Sequence, residues 1–519
     1  MVNYILGSKI YVSYLRTISV HLIIPCSAST MEFSFIIFIA LTTLLFFLFK
    51  FATRQKPKRK LLPEPWGLPI IGHMHHLIGT LPHHGLTNLA KKYGSFMHLQ
   101  LGEISTIVVS SPKLAKEVLT NYDLTFADRP ENLTAEVVVY HSTDIVFSPY
   151  GEYWRQLRKL CTIELLSAKK VKSFHSLREE ECWNLVQEIR SSRSGRPIDL
   201  SHRIFSRIAL IVSRAAFGEG LKDPIVFSDL MRKTLTEMGG FDVADIFPSK
   251  KFIHHLSGKR ARLAKIHKAV ENIVNKIFSE TLKKQCNTSH ESFLDILLRV
   301  KDRSEFPLTI DNIKAVLLDV FAAGADTSAA TVEWALSEVI KSPRVMEKLQ
   351  TELRKILNGK ERILEEDIRD LGYLNQVIKE TLRLHPPGPL LMARESRESC
   401  VFAGYDIPKK TKLIINAFAI NRDPDYWKDP ECFIPERFEN NPTNMVGAEY
   451  EYLPFGAGRR MCPGVSLGLA NVRLPLANIL YHFNWKLPNG EKNEDLDMSE
   501  CFGAAVHRKY GLVLVPISG

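Results

Sequence analysis

The chain has 519 residues, 45% apolar and 24% charged, the balance of a folded globular protein rather than a disordered or low-complexity one. Its formal charge of +11 (68 basic minus 57 acidic residues) suits an anionic membrane surface or an acidic protein partner. With no zinc-finger spacing, no aromatic-rich RNA-binding signature and no long basic tract past residue 60, no nucleic acid is expected as a partner.

Residues 1–30 contain Lys9 and Arg16, several hydroxyls and no acid, and they precede a Met31-Glu32 that resembles a natural start. They read as a disordered N-terminal extension, or alternatively as an organelle-targeting one. Residues 33–49, FSFIIFIALTTLLFFLF, are uncharged and would span roughly 26 Å as a helix, close to the ~30 Å core of a bilayer. Residues 31–50 are therefore expected to form a transmembrane anchor. The basic run Arg54, Lys56, Lys58, Arg59 and Lys60 follows and places the rest of the chain in the cytosol. A cleaved signal peptide fits less well, because the apolar run is long and no small-residue cleavage site follows. Eight cysteines at irregular spacing, none in a C-x-x-C pair, agree with a reducing compartment. The sequons at Asn132 and Asn287 would matter only for a lumenal domain.

Residues 51–72 read as a basic and proline-rich linker, with Pro63, Pro65 and Pro69 fixing extended backbone. The histidines His73, His75 and His76 have no carboxylate or thiol beside them, so a solvated turn is expected rather than a metal site. Residues 73–519 show no internal repeat and read as one large, mostly α-helical domain with a small β-sheet region. Residues 98–110 predict a hairpin with a Gly-Glu turn, and the stretches around 399–416 and 506–517 look extended. In SPYGEYWRQLRKLC (148–161), Ser148 and Pro149 suit a helix cap and first position. Trp154 and Arg158 share a face there. They are either a core aromatic and a surface arginine, or an indole N–H and a guanidinium aimed at a carboxylate.

Residues 309–342 predict a helix roughly 50 Å long, capped by Thr309 and ended by Pro343, with Ile313, Val316, Leu317, Val320 and Phe321 on a buried face. Its middle carries Ala323, Gly324, Asp326, Thr327 and Ser328. Polar groups at the centre of a core helix need partners or a task. Ala323, Gly324 and Thr327 line one face and would open a notch, with the Thr327 hydroxyl on the Ala323 carbonyl or on a guest. Asp326 is offset by about 100°, toward solvent or a charged partner. The alternative is a packing glycine with a back-bonded threonine and an exposed acid.

In YLNQVIKETLRLHPPGP (373–389), Glu380 and Arg383 sit at i, i+3, and Arg437 in PERF (435–438) could complete a Glu-Arg-Arg cluster. If buried, that cluster would brace the segment before residue 462. Last comes PFGAGRRMCPG (454–464). Glycine is tolerated where a turn or a close approach demands it, so the stretch is shaped around Cys462. Pro463 suits the first position of a helix, which would put the thiol at a helix N-terminus and lower its pKa. A nucleophilic cysteine would need a base that no nearby histidine supplies. A soft axial ligand to iron, with Arg460 on a porphyrin carboxylate, fits better.

Phe455, Gly458, Arg460, Cys462 and Gly464 carry the pattern F-x-x-G-x-R-x-C-x-G, which resembles the haem-binding signature of the cytochrome P-450 superfamily. W-x-x-x-R at 154–158, A-G-x-D-T-S at 323–328, E-x-x-R at 380–383 and P-E-R-F at 435–438 follow that family's order, and the likeness runs over roughly residues 31–519. MHLQLGE, AKEVL, YGEYWRQLRK and FGAGRRMCPG are most similar to the plant microsomal branch rich in terpene hydroxylases. The resemblance implies a haem b enzyme with Cys462 as metal ligand and no flavin on this chain. It puts Trp154, Arg158, Arg394 and Arg460 on the propionates, with Ala323, Gly324, Phe455 and Gly464 against the cofactor. Thr327 and Asp326 would be catalytic, delivering the protons that oxygen activation consumes. Electrons would come from an NADPH-cytochrome P-450 reductase, at the endoplasmic reticulum membrane. The implied reaction is oxidation, with O2, of a small hydrophobic metabolite such as a terpenoid. The alternatives are an alkaloid or phenolic substrate, a haem-thiolate isomerase or dehydratase, or a non-catalytic haem-binding protein. Departures from the family pattern are Leu62-Pro63-Glu64-Pro65 in the hinge, Ala393 before Arg394, and Arg473; none touches the iron.

Overall fold

The computed structural model describes residues 37–38, 41–43, 62–192, 195–238, 241, 243–250, 252, 257–283, 291–303, 308–439 and 449–518. The chain divides into two units, Met1–Lys60 and Leu61–Gly519. In the first, residues 37–38 and 41–43 are helical and exposed; the rest of the expected anchor, the extension before it and the basic run lie outside the described residues, as does Asn287. Among the described residues the helix long and apolar enough to cross a membrane is Ile310–Lys341, and it is mostly buried inside the second unit.

That unit is mainly helical. The helices that build the site are α1 (Glu152–Leu160), α2 (Leu200–Phe217), α3 (Pro224–Glu237), α4 (Ile310–Lys341), α5 (Gly372–Leu384) and α6 (Val465–His482). A mixed four-stranded sheet has the order β1 (Phe96–Leu101), β2 (Ile104–Val109), β4 (Lys412–Ile415), β3 (Arg394–Glu395). β1 and β2 are the predicted hairpin, turning at Gly102-Glu103 with Gly102 at φ +57°, a left-handed value that glycine adopts without strain. β2 and β4 pair in parallel, and a separate hairpin joins β5 (Glu500–Phe502) to β6 (Val506–Arg508).

The long helix begins where its cap residues dictate. Thr309 Oγ1 accepts the Asn312 N–H at 3.1 Å and Asn312 Oδ1 accepts the Thr309 N–H at 3.0 Å, a reciprocal capping box. The five apolar residues expected on its hidden face are all buried, packed chiefly against α2 and α6. The histidines after the linker bond to backbone: His73 Nδ1 accepts the Gln100 N–H at 2.7 Å, and His76 Nε2 lies 2.9 Å from the Trp66 carbonyl. The six cysteines among the described residues are unpaired. Asn132 caps a short helix through Ala135 N–H.

Two helix starts differ from expectation. α1 starts at Glu152 with Gly151 as its cap, because Ser148 and Pro149 belong to the preceding turn, where Ser148 Oγ donates to the Ser142 carbonyl. α6 starts at Val465 with Gly464 as its cap. Pro463 is therefore not the first helical residue, and Cys462 lies in the loop before the helix.

Candidate active site

The loop that presents Cys462 is folded back on itself. The Cys462 N–H donates to the Phe455 carbonyl at 3.0 Å, and the Met461 N–H to Gly458 at 3.1 Å. Gly456 and Gly458 are left-handed, at φ +67° and +72°. At Gly458 a Cβ would come within 2.5 Å of Asp123 Oδ1 and 3.0 Å of the Leu119 carbonyl. Asp123 cannot retreat, because its carboxylate also accepts from Arg459 N–H at 2.8 Å and from Arg394 Nη1 at 2.7 Å. Gly458→Ala should therefore lose about 1–3 kcal/mol from backbone strain alone, with a further loss from displacing Asp123. A thermal melt of the purified variant reads the loss directly.

Cys462 lies deep in the unit, and its sulfur opens onto a cavity of about 750 Å³, within the ~300–1,000 Å³ usual for small-molecule sites. The lowered thiol pKa expected from a helix N-terminus is corrected here. Burial pushes the Cys462 thiol up, and the opposing pull of the Gly464 N–H and Arg158 does not overcome it. A sulfur two residues outside the helix gains little from the helix dipole, which decays within one turn.

Four guanidiniums converge on this cavity. Arg158 Nη2 donates to the Met461 carbonyl at 2.6 Å. Arg394 donates to Asp123 and, at 2.9 Å, to the Ala457 carbonyl. Arg460 donates to the Ala127 and Ser148 carbonyls at 2.8 and 2.6 Å, and its guanidinium lies 4.2 Å from the Trp154 ring centre. Arg129, which the sequence reading passed over, donates to the Val146, Met392 and Ala393 carbonyls. Burial lowers the pKa of all four, and mutual repulsion adds to it for Arg129 and Arg460, the latter falling to about 10. Arg460 Nη1 is buried without a partner. A buried donor left unmatched costs about 1–3 kcal/mol, so this cluster favours an anionic ligand. Trp154 is a buried aromatic, as the first of its two readings has it; its indole N–H donates to the Ile145 carbonyl at 2.9 Å, and its ring supports Arg460.

The middle of α4 forms part of the cavity wall. Ala323 is exposed to the cavity, and Thr327 Oγ1 donates to its carbonyl at 2.6 Å. Gly324 also lines it, but a Cβ there would point at Val212 and Leu467 at ordinary contact distances of 3.5 and 3.7 Å. Its missing side chain eases helix packing more than it widens the notch. Asp326 is buried and turned to a charged partner, His507 Nε2 at 3.1 Å. A second acid, Asp319, accepts from the Ile145 and Val146 N–H groups at 3.1 and 3.3 Å. These two hydrogen bonds pin residues 145 and 146 to α4, while burial and the neighbouring Asp144 carboxyl raise the Asp319 pKa well above the usual range. Along the remaining wall, Val138, Met231, Phe241, Val320, Leu390 and Ala504 are apolar or nearly so.

In the Glu-Arg-Arg cluster the Glu380 and Arg383 side chains are fully buried and Arg437 is partly so. Arg383 reaches both Glu380 oxygens at 2.7 and 2.8 Å, and Arg437 Nε reaches Oε1 at 3.0 Å. The same oxygen accepts the Ile434 N–H, and Arg383 donates to the carbonyls of Asn421, Pro430 and Cys432.

A protein-family model described as Cytochrome P450 matches residues 62–515. Germacrene A hydroxylase from Tanacetum parthenium is 70% identical over 92% of this chain and 98% of that protein. Amorpha-4,11-diene 12-monooxygenase from Artemisia annua is 66% identical over 92% of this chain and 97% of that protein. Among solved structures, a zebra fish cytochrome P450 with progesterone aligns with a TM-score of 0.72 at 26% identity, covering 85% of this chain and all of that one.

Proposed function

This chain belongs to the cytochrome P450 family, and we propose that it is a monooxygenase hydroxylating a hydrocarbon terpenoid of the germacrene A kind with O2 and electrons from NADPH. The observation that carries this reading is a thiol facing a large cavity, with four arginines around it and a hydroxyl-bearing helix notch in the same wall. The apolar lining supports a substrate with few polar groups, and so do the two terpenoid-oxidising relatives.

The donor set fits haem b. Cys462 offers the sulfur, and Arg460 offers an unpaired buried N–H, with Arg158, Arg394 and Arg129 beside it for the propionates. Ala323, Gly324, Phe455 and Gly464 line the cavity that the ring would occupy. A haem held there would supply O2 activation, with the Cys462 sulfur as its electron-donating ligand. The chain's own residues do the rest. Trp154 and the Ala127 and Ser148 carbonyls fix Arg460. The cavity walls hold the hydrocarbon and exclude bulk water. Thr327 holds a proton at Oγ1, now directed to the Ala323 carbonyl, which rotation about its side-chain bond turns to the cavity, with Asp326 as the nearby acid on the same helix turn.

Electrons arrive from a separate NADPH-dependent reductase, which the net positive charge favours as an acidic partner. The apolar run at 33–49 and the basic run after it support single-pass anchoring in the endoplasmic reticulum, with the catalytic unit cytosolic. With such a reductase, germacrene A should be converted to a hydroxylated product, one O2 and one NADPH per oxygen inserted. Failure of germacrene A and a panel of related terpenoids both to shift the ferric absorption spectrum and to give product overturns the substrate class. Thr327→Ala should keep the haem and continue to consume NADPH while product formation falls, by up to ~10²-fold if the hydroxyl is the proton carrier. Product and peroxide assays on the same reaction check this.

A further inference from the structure

His507 lies 166 or more residues from every residue of α4, yet β6 brings it to the helix that bears Asp326. Val506 accepts the Trp334 indole N–H at 3.1 Å, and Arg508 Nη1 donates to Ser337 Oγ at 3.1 Å. Between these two anchors His507 Nε2 stands 3.1 Å from Asp326 Oδ2, the carboxylate being 7% exposed and the imidazole 20%. The Val506 N–H is tied to the Pro387 carbonyl at 2.9 Å, so the strand is held from both sides. Three consecutive residues thus fix one imidazole against one carboxylate.

We propose that His507 is the positioning and proton-exchanging partner of Asp326, a residue of the cavity wall, holding its carboxylate against β6 until a proton passes from imidazole Nε2 to carboxylate Oδ2. The transfer breaks one N–H bond and forms one O–H bond, leaving both groups neutral. The attraction that fixes the carboxyl is then relaxed, and it can turn toward Thr327. This rests on the reading of Asp326 as a proton-handling acid. It goes further by assigning the residue that controls it, and by placing that residue on the segment whose preceding turn, Phe502 to Ala505, lines the cavity. A substrate pressing on that turn presses on the strand that carries His507.

The charged groups acting on His507 come from each side. Asp326 and Glu333 on α4, seven residues apart and so on one face, favour the imidazolium, while Arg232 on α3 opposes it. Burial lowers the His507 pKa, but the two carboxylates outweigh burial and the net shift is upward. The ion pair is therefore complete at acidic pH and is lost as pH rises through the raised value.

His507→Gln keeps an N–H donor and removes the titration. It should lower product formed per NADPH by about tenfold, the usual scale for a residue orienting a functional group, and flatten the dependence of that ratio on pH. In full-length protein labelled at the histidine ring carbons, the resonance missing from His507→Gln should titrate above 6.5 in the wild type and move downward in Asp326→Asn. Wild-type coupling and an unchanged pH profile in His507→Gln, or a resonance indifferent to Asp326→Asn, overturns the inference. Asp326→Asn assayed in parallel separates the two readings. If it uncouples while His507→Gln does not, only the role of His507 falls; if neither uncouples, the role of Asp326 falls as well.

Discussion

Cys462→Ser should abolish the long red displacement of the Soret band on reduction and addition of carbon monoxide, and reduce terpenoid hydroxylation to background. Only a deprotonated, polarisable sulfur gives the electron donation that both observations require. A serine hydroxyl in the same buried place has a higher intrinsic pKa and meets the same burial that already pushes the thiol up, so it remains neutral. The loop itself should survive, since its hydrogen bonds run through the Cys462 N–H and the Met461 N–H rather than the side chain. Cys432→Ser, at an exposed thiol, is the matched control and should leave the band unmoved. A variant at 462 that keeps the red-shifted band would remove sulfur ligation from the account altogether.

Glu380→Ala should be the most damaging single change to folding. Both side chains of the Glu380–Arg383 pair have 0% exposure. Removing the acid strands two arginines, and breaking a buried pair by deleting one partner costs about 3–5 kcal/mol. Against a total stability of about 5–15 kcal/mol, that is about a fifth or more of what holds the fold. The damage is directed at the site, because Glu380 also holds the Ile434 N–H and Arg383 gathers three carbonyls from residues 421–432. Glu380→Gln keeps the shape and one acceptor and should fall between alanine and wild type. Thermal midpoints, together with the fraction of purified protein that carries haem, give the ranking. Equal midpoints for wild type and Glu380→Ala would mean that the cluster contributes nothing.

What could be read from the sequence was what is local in it. The Thr309 cap and the buried stripe of α4 follow from residues three and four apart, and the β1–β2 hairpin from alternation about Gly102-Glu103. The glycine loop declared itself through composition. Partners separated by long stretches of chain were hidden. Nothing near Arg129 says that residues 392 and 393 will supply its acceptors, and nothing near Asp326 points to His507. Asp319 left a trace, as an acid inside the apolar run LLDVF, but its tie to residues 145 and 146 belongs to the fold. The acceptor of the Trp154 indole was hidden for the same reason, since it sits in a loop whose path no local pattern fixes. The start of α6 was misplaced by two residues because proline is compatible with a first helical position without requiring one, and the turn that orients Cys462 needed those residues instead.

The double duty of α4 has an evolutionary consequence. Its residues are at once wall and main beam, packed on their far sides against α2 and α6, so remodelling the chamber there disturbs the scaffold. The segments around 130–146, 387–392 and 502–505 line the same cavity from outside that helix. New substrate preferences in this lineage should therefore arise by exchange in those three loops, while the beam drifts slowly beneath them.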